Sequence, residues 1–423
     1  MHAVRYAKYA PNFYKGNCPA DKLVYRINAQ NYTAGFAIML SKVLDAEHKL
    51  DALLPSRPLE TNPPGDLVTA AIAWSAAVWA EADKLGPLAI TKQQTGQGLT
   101  LARHPVYICG VHRSGTTLLR NLLDGHPGLV VLPSEGTFYT VLESKLRALP
   151  QNEQMSFLGS EWIRRLANPI NQPPYWLLGR STGSSSPYVD FARYLMTWWK
   201  ILDHKKDRQA PHIAVVLAYA TCTGSLHAKL WVDKTPANER FLNRIWKEVP
   251  EAKIIQMIRE PVATLNSRKM MEPSLVMRNA LLDMRMSFRA ALKQSRVNNA
   301  NYILVRYENL CAEPQAVLEK LCLFMNIPIT ASLNEPTVAG IPVKANSTFA
   351  NMAPPGQILK PHQHPQTGAI GAAEYRLLAA YIGRPAKKLN YPVKQISFLH
   401  RYSTLLKQAF LHVLTIPGNK FQR

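Results

Sequence analysis

The sequence predicts an α/β fold in which helices flank a central parallel sheet that carries a P-loop-like turn, with an N-terminal helical region before it. Two observations predict this class. Short apolar, β-rich runs alternate with helical segments from residue 106 onwards. Residues 107–127, YICGVHRSGTTLLRNLLDGHP, have the pattern of a strand, a glycine-bounded turn and an apolar helix, which is a layout that holds phosphate groups.

The first 100 residues show helical patterns without strand signals. Apolar residues recur at helical spacing over 34–54 and 67–84, and Asp66 is the expected N-cap of the second helix. Residues 91–105 have the composition of a linker. We therefore expect a helical region over 1–100, an α/β domain over 101–390 and a basic tail over 391–423.

The α/β part is predicted from four apolar runs and the segments between them. Strands are expected at 106–109, 129–132, 252–258 and 301–307, and helices at 116–124 and 314–325. The middle stretch, 137–247, is expected to be helical. Residues 330–370 are rich in Pro, Asn and Gly and predict a long ordered loop.

The composition indicates the expected classes of partner and the expected location of the protein. The chain of 423 residues carries a formal net charge of +22, which favours anionic small molecules, polyanions or anionic membranes. The five cysteines are scattered and lack CxxC spacing, so we expect buried free thiols in a reducing compartment and no zinc site. Without a signal-like or membrane-length apolar run, the expected location is cytoplasmic.

The glycine-bounded turn has P-loop spacing but lacks the P-loop lysine. Gly110 and Gly115 bound GVHRSG, and Thr116 stands where that lysine would be. The strand at 252–258 is followed by Arg259 and not by the aspartate that would hold Mg²⁺. Both features predict a nucleotide site with fewer charges at the reacting end and no metal requirement. In isolation, the glycines would also suit a turn that serves packing and binds nothing.

Four segments, in order, resemble sulfotransferases that use 3′-phosphoadenosine 5′-phosphosulfate (PAPS), in the branch that contains tyrosylprotein and many bacterial sulfotransferases. GVHRSGTTLLRNLLDGHP resembles their 5′-phosphosulfate loop, and WVDKTPANERF their central lysine-proline segment. IIQMIREPVATLNSRKM resembles their 3′-phosphate site, and ILVRYENLCAEPQAVLEKLCLFMNI the strand-Tyr-Glu-helix segment after it. Together the segments span roughly 106–327, about half of the chain.

The resemblance implies a donor site. Arg259 and Ser267 would hold the 3′-phosphate, with Ser267 eight residues after Arg259 as in the family, and Arg268 and Lys269 either assist or lie on a solvated helix face. The residues implied for the 5′-phosphosulfate are Arg113, Ser114, Gly115, Thr116 and Thr117.

The resemblance also implies a catalytic set of Glu135, Lys234 and Arg113. Lys234, with Arg113, would neutralise the leaving phosphate oxygen; the alternative is that Lys234 merely pairs with Asp233. Glu135 is the expected general base, with a pKa raised by desolvation, although it lies about one residue further from Pro127 than in the tyrosylprotein enzymes. A histidine is the alternative base, and the candidates are His112, His204 and His227.

Two segments near the C-terminus carry further candidate features. The resemblance implies that residues 360–371 close over the nucleotide, which makes Lys360 a candidate to reach a phosphate. A metal site at His362 and His364 is not expected because Cys or acidic partners are lacking nearby. Residues 394–414 have an amphipathic helical pattern, which suits either packing on the domain or peripheral attachment to anionic lipid.

The expected function is sulfuryl transfer from PAPS, without a metal, to a hydroxyl or amine acceptor. A carbohydrate, a lipid or another small metabolite is the expected acceptor, and nucleic acid is not expected as a partner. The alternatives are a non-catalytic nucleotide or polyanion binder and a P-loop kinase.

Overall fold

A five-stranded parallel sheet organises the part of the chain described by the computed structural model, which comprises residues 34–54, 64–169, 173–204, 207–272, 274–344, 354–358 and 370–393. The strand order is β2-β3-β1-β4-β5, and every neighbouring pair is parallel. This confirms the predicted fold class. The strands are β1 Pro105–Cys109, β2 Leu129–Val131, β3 Leu230–Lys234, β4 Lys253–Ile258 and β5 Tyr302–Arg306.

Helices surround this sheet along the whole described chain. Their bounds are α1 Ala34–Leu53, α2 Gly65–Leu85, α3 Lys92–Ala102, α4 Thr116–Leu123, α5 Glu143–Ala148, α6 Gln151–Ala167, α7 Pro187–Ile201, α8 Ala210–Cys222, α9 Leu242–Glu248, α10 Pro261–Met271, α11 Met277–Val297, α12 Tyr307–Ala312, α13 Pro314–Met325 and α14 Ala372–Lys388.

The alternation of side chains along β1 explains why the sheet is covered on both faces. Val106 and Ile108 pack with the apolar side of α4 in one buried cluster. Tyr107 and Cys109 point the other way, into a cluster that includes residues of α2, α7 and α8. All five residues of β1 are buried, as expected for the central strand of a parallel sheet.

The N-terminal helices share a core with the sheet. In α2 the apolar residues Leu67, Ala71, Trp74 and Val78 recur at helical spacing and are buried. Trp74 makes edge contacts with Trp176 and Tyr188, with ring centroids 5.2 and 4.9 Å apart.

Three local predictions are wrong. β3 lies inside the stretch expected to be helical, because the apolar α8 just before it and the charged Asp233-Lys234 at its end hide a five-residue strand. The expected linker contains α3, whose start is fixed by a capping box between Thr91 and Gln94. Asp66 lies in the first turn of α2, whose N-cap is Pro64.

The C-terminal part of the chain is described in pieces. The segment after α13 contains a 3-10 turn, Ala331–Asn334, and a hairpin formed by β6 Thr337–Val338 and β7 Ile341–Pro342. The predictions for 360–364 and 394–414 lie outside the described residues, as does Cys18. The other four cysteines are buried and free, as predicted.

A search of the described helices for long apolar segments finds none with the length and hydropathy to cross a membrane.

Candidate active site

The turn after β1 adopts a backbone conformation that requires its glycines. Gly110 and Gly115 have φ of +139° and +96°. A Cβ on Gly110 would lie 2.4 Å from the Met257 carbonyl oxygen, and one on Gly115 would lie 2.2 Å from Tyr307 Cδ2. The Gly110 N–H donates to Glu239 Oε2 at 3.0 Å, which fixes the start of the turn. Side chains at either position would therefore block the turn.

The turn leads directly into α4 and leaves hydroxyl groups at the helix N-terminus. Ser114 is fully buried, and its Oγ has no hydrogen-bond partner among the described residues. Thr116 is buried at the first helical position and Thr117 is exposed. Backbone N–H groups and the helix dipole favour an anion there, so the arrangement has the chemistry of an anion-binding turn.

Two arginines and a serine meet beside this turn. Arg113 donates from Nε to Ser267 Oγ at 2.9 Å, and Arg259 donates from Nη1 to the Arg113 carbonyl oxygen at 3.1 Å. Burial and the positive charge of Arg259 both lower the pKa of Arg113. Because two guanidinium groups repel each other in a desolvated site, their proximity favours a bound anion. The structure thus brings the predicted donor-site residues together.

The Tyr-Glu pair that follows β5 supports the same cluster. Tyr307 covers Gly115, and the Arg259 guanidinium lies 4.4 Å from the centre of its ring. Glu308 accepts a hydrogen bond from the Glu260 N–H at 2.7 Å. Glu260 in turn caps α10 by accepting from the N–H groups of residues 262 and 263. These contacts fix the start of α10, with Arg259 just before the helix and Ser267 within it.

Lys234 and Glu135 form an ion pair at the end of β3. Lys234 Nζ lies 2.5 Å from Glu135 Oε1, and their side chains are 4% and 38% exposed. The segment after Lys234 runs beside the turn, because the Thr235 N–H donates to the Ile108 carbonyl and the Ala237 N–H to the Gly110 carbonyl. The alternative pairing of Lys234 with Asp233 is wrong: Asp233 is fully buried, and its carboxylate accepts hydrogen bonds from Gly136 and Thr235.

The electrostatics of this pair correct one expectation. Burial raises the pKa of Glu135, as expected from the sequence, but the charge and hydrogen bond of Lys234, together with His112 and Arg120, lower it more, and the pKa lies below its usual value. Burial lowers the pKa of Lys234. The pKa of His112 is lowered, first by burial and further by Arg268 and Lys234. At neutral pH Glu135 is therefore ionised and His112 is neutral.

The remaining sequence candidates lie in other settings. Arg268 is buried in an ion pair with Asp283, at 3.3 Å, and is not on a solvated face. Lys269 pairs with Glu374 at 2.7 Å. His204 stacks on Trp199. His227 is exposed just before the amino end of β3, opposite the end that carries Lys234.

Several residues of the site were not among the candidates from the sequence. Glu239 anchors Gly110, and Arg165 of α6 donates to the Glu135 carbonyl oxygen at 2.5 Å. Arg120 is buried in α4 and donates to the Pro133 carbonyl oxygen at 2.5 Å. A charged residue in an otherwise apolar helix was the available signal for Arg120. Among the described residues, no group of three or more His, Cys, Asp or Glu is arranged to hold a metal ion.

Comparison with known proteins places the chain in a family. Solved structures that resemble the chain at low identity include the sulfotransferase domain of the Synechococcus PCC 7002 olefin synthase, with 21% identity and a TM-score of 0.44 over 69% of this chain and 96% of that one. The sulfotransferase domain from the curacin biosynthetic pathway has 19% identity and a TM-score of 0.39 over 68% of this chain and 98% of that one. The sulfotransferase STF9 from Mycobacterium avium has 16% identity and a TM-score of 0.34 over 75% of this chain and 86% of that one.

Curated protein sequences give no match. The model of the sulfotransferase family matches residues 105–331. The match runs from β1 to the 3-10 turn after α13 and spans more than half of the 423 residues. The protein belongs to the sulfotransferase family.

Proposed function

We propose that the protein transfers a sulfuryl group from PAPS to a hydroxyl or amine acceptor, with a carbohydrate, a lipid or another small metabolite as the acceptor class. The observation that supports it most is the contact of Arg113 with both Ser267 and Arg259. Through these two hydrogen bonds, the anion-binding turn that contains Arg113 lies next to a second cationic group, Arg259. PAPS carries charged groups at its 5′ and 3′ positions, and two adjacent anion sites suit such a nucleotide.

In the proposed reaction, the acceptor oxygen attacks sulfur, a new O–S bond forms and the bond from sulfur to the 5′-phosphate oxygen breaks. The acceptor proton passes to the Glu135 carboxylate, and adenosine 3′,5′-bisphosphate leaves. Lys234 and Arg113 supply positive charge where the leaving oxygen becomes negative. The base and the cations belong to separate, fixed segments at one end of the sheet. We expect these segments to hold the acceptor oxygen in line with the bond that breaks.

The ion pair between Lys234 and Glu135 couples removal of the acceptor proton to stabilisation of the leaving oxygen. One ammonium offsets the burial of Glu135 in the structure described above. When Lys234 turns its charge towards the leaving oxygen, Glu135 loses part of that compensation and its pKa rises. The carboxylate therefore becomes a stronger base when the donor is in place.

A kinase function is less well supported. Metal-triphosphate chemistry uses a P-loop lysine and an acidic metal ligand, whereas Thr116 and Arg259 occupy those two positions here. A non-catalytic nucleotide or polyanion binder is the second candidate, and the net charge of +22 favours it. Such a binder has no need for the buried Lys234 to face a carboxylate.

The experiment that tests this function is transfer of radiolabelled sulfate from PAPS, in EDTA, to a panel of carbohydrate, lipid and phenolic acceptors. We expect labelled product with at least one class, and loss of most turnover in Glu135→Ala and Lys234→Ala. Lys247→Ala removes an exposed lysine of α9 and serves as the matched control. Absence of product from every class, combined with absence of bisphosphate binding, would refute the proposal.

A further inference from the structure

The short segment that carries Glu135 is held from two sides by charged residues that have no place in the proposed chemistry. We propose that Asp233 and Arg165 are positioning residues, which keep the Glu135 carboxylate against Lys234. This inference rests on the proposed function, because it concerns the geometry of the proposed base.

Asp233 holds the segment from the sheet side. Its Oδ1 accepts hydrogen bonds from the Gly136 N–H at 3.0 Å and from Thr235 Oγ1 at 2.8 Å. Thr235 Oγ1 accepts from the Thr137 N–H at 2.8 Å. A Cβ on Gly136 would lie 2.4 Å from the Asp233 carboxylate, so the backbone is seated directly on that group. Two successive amides after Glu135 are thereby fixed.

Strand alternation explains how Asp233 and Lys234 share this task. Consecutive residues of β3 point to opposite faces of the sheet. Lys234 contacts the Glu135 side chain, and Asp233 contacts the backbone just after it. Behind Asp233, the buried His212 places Nε2 at 3.3 Å from Oδ2 and stacks on Phe138. His212 thus lies directly behind the carboxylate.

Arg165 holds the segment from the opposite side. Its Nη1 donates to the carbonyl oxygens of Glu135, at 2.5 Å, and Gly136, at 3.3 Å. Its Nε donates to Glu161 Oε1 at 2.8 Å, which fixes the guanidinium on α6. The neighbouring Arg164 also pairs with Glu161, at 2.5 Å, but donates from Nη1 to Ser75. Arg164 is therefore a matched control, because it lies on the same helix and pairs with the same carboxylate without contacting the segment.

The backbone of the segment shows why such support is needed. Thr137 has a φ of +50°, in the left-handed region that a β-branched residue rarely adopts. Such a conformation is strained and persists where the surroundings hold it in place. Without Arg165 or Asp233, we expect the segment to relax and Glu135 to move away from Lys234.

Loss of that contact changes the acidity of Glu135. The charged and titratable groups that face it are Lys234 from β3, His112 from the turn and Arg120 from α4. Lys234 is the main group that offsets the burial of Glu135, and His112 is the neutral member at pH 7. Weakening the pair therefore raises the pKa of Glu135, so the acid limb of the activity profile moves to higher pH.

The test compares Arg165→Gln with Arg164→Gln in sulfuryl transfer, in binding of adenosine 3′,5′-bisphosphate and in amide hydrogen exchange over 135–141. For Arg165→Gln we expect kcat to fall by about tenfold, as for a small misplacement of a reacting group. We also expect the acid limb to move to higher pH, exchange to become faster and bisphosphate affinity to stay within about twofold, since the donor site is intact. Arg164→Gln should match the wild type in all four.

Asp233→Asn and Asp233→Ala give a second, independent comparison. The asparagine oxygen can still accept from the Gly136 N–H, so Asp233→Asn should keep most of the turnover that Asp233→Ala loses. Equal turnover, equal pH profiles and equal exchange in the two arginine variants would overturn the inference.

A fall in kcat without movement of the acid limb would also overturn the inference, because it would indicate general loosening. If the wild type transfers no sulfate, the proposed function fails, and the exchange data still decide whether Arg165 holds the segment.

Discussion

Lys234 Nζ lies 2.5 Å from Glu135 Oε1, although the two residues are 99 positions apart in the sequence. The sheet explains this contact. Val131 of β2 pairs in register with Val232 of β3, so the segments that leave these two parallel strands start side by side. Lys234 ends β3, and Glu135 lies four residues beyond Val131. The polar ends of neighbouring parallel strands meet at one edge of the sheet, where α/β proteins place their sites.

Replacing Lys234 by Ala should reduce turnover much more than donor affinity. The ammonium is placed to act on charge that develops during transfer, and removal of such a group costs about 10²–10³ in kcat. We expect bisphosphate affinity to fall by less than about tenfold, since Arg113 and Arg259 remain. Steady-state kinetics and calorimetric titration would measure the two effects, with Lys247→Ala as the control. A larger loss in affinity than in kcat would assign Lys234 to binding.

The dependence of kcat/KM on pH should show both limbs displaced to low pH. Transfer requires Glu135 ionised and Lys234 protonated in the free enzyme. Burial raises the pKa of Glu135, but Lys234, with His112 and Arg120, lowers it more, so the acid limb should lie below the usual range for glutamate. Burial lowers the pKa of Lys234, so the alkaline limb should lie below the usual range for lysine.

The variant Glu135→Gln should lose this acid limb and most of the activity at every pH. Glu319→Gln on α13 is the control and should keep both limbs. An unchanged acid limb in Glu135→Gln would exclude Glu135 as the base and favour His112 in that role.

Replacement of Arg259 by Gln should remove discrimination for the 3′-phosphate. Arg259 donates to the Arg113 carbonyl oxygen, and the proposed function assigns it to the 3′-phosphate. A charge-assisted hydrogen bond is worth about 1.5–3 kcal/mol, which corresponds to roughly 10–150-fold in affinity. We expect that loss for adenosine 3′,5′-bisphosphate and little change for adenosine 5′-phosphate. Equal losses for both nucleotides would place Arg259 in the 5′ site or in a structural role.

Gly115→Ala should damage the turn, whereas Gly96→Ala should not. The first variant forces a side chain into a φ of +96° and against Tyr307. A left-handed conformation costs about 1 kcal/mol or more for a residue with a Cβ, and the contact with Tyr307 adds to it. Gly96 lies inside α3 with open space around it, so alanine there should stabilise the fold by about 0.5–1 kcal/mol.

Thermal unfolding and bisphosphate titration would compare these glycine variants. Full bisphosphate binding by Gly115→Ala would contradict the role of the turn.

The sequence predicted most of the sheet because its strands are apolar and bounded by clear turns. β1, β4 and β5 and the helix Pro314–Met325 were found within a residue or two of their bounds. β3 was missed because its last two residues, Asp233 and Lys234, are charged. In the proposals above both belong to the site, and site residues are expected to break the local pattern that prediction depends on.

The donor-site residues were predictable for a different reason. Arg113, Arg259 and Ser267 belong to segments whose resemblance to sulfotransferases is visible in the sequence, and the fold brings them into contact. Arg165 and Glu239 were not predictable, because they act through backbone contacts that depend on packing between segments distant in the sequence. The lowered pKa of Glu135 was missed for the same reason, since its partner Lys234 comes from a different strand.

The most direct test of the central claim is a titration of the protein with adenosine 3′,5′-bisphosphate in EDTA, beside a titration with ATP in Mg²⁺. The turn with Thr116 and the neighbouring Arg259 predicts tight, metal-independent binding of the bisphosphate and weak binding of ATP. Preference for ATP with Mg²⁺, or failure to bind the bisphosphate, would contradict it.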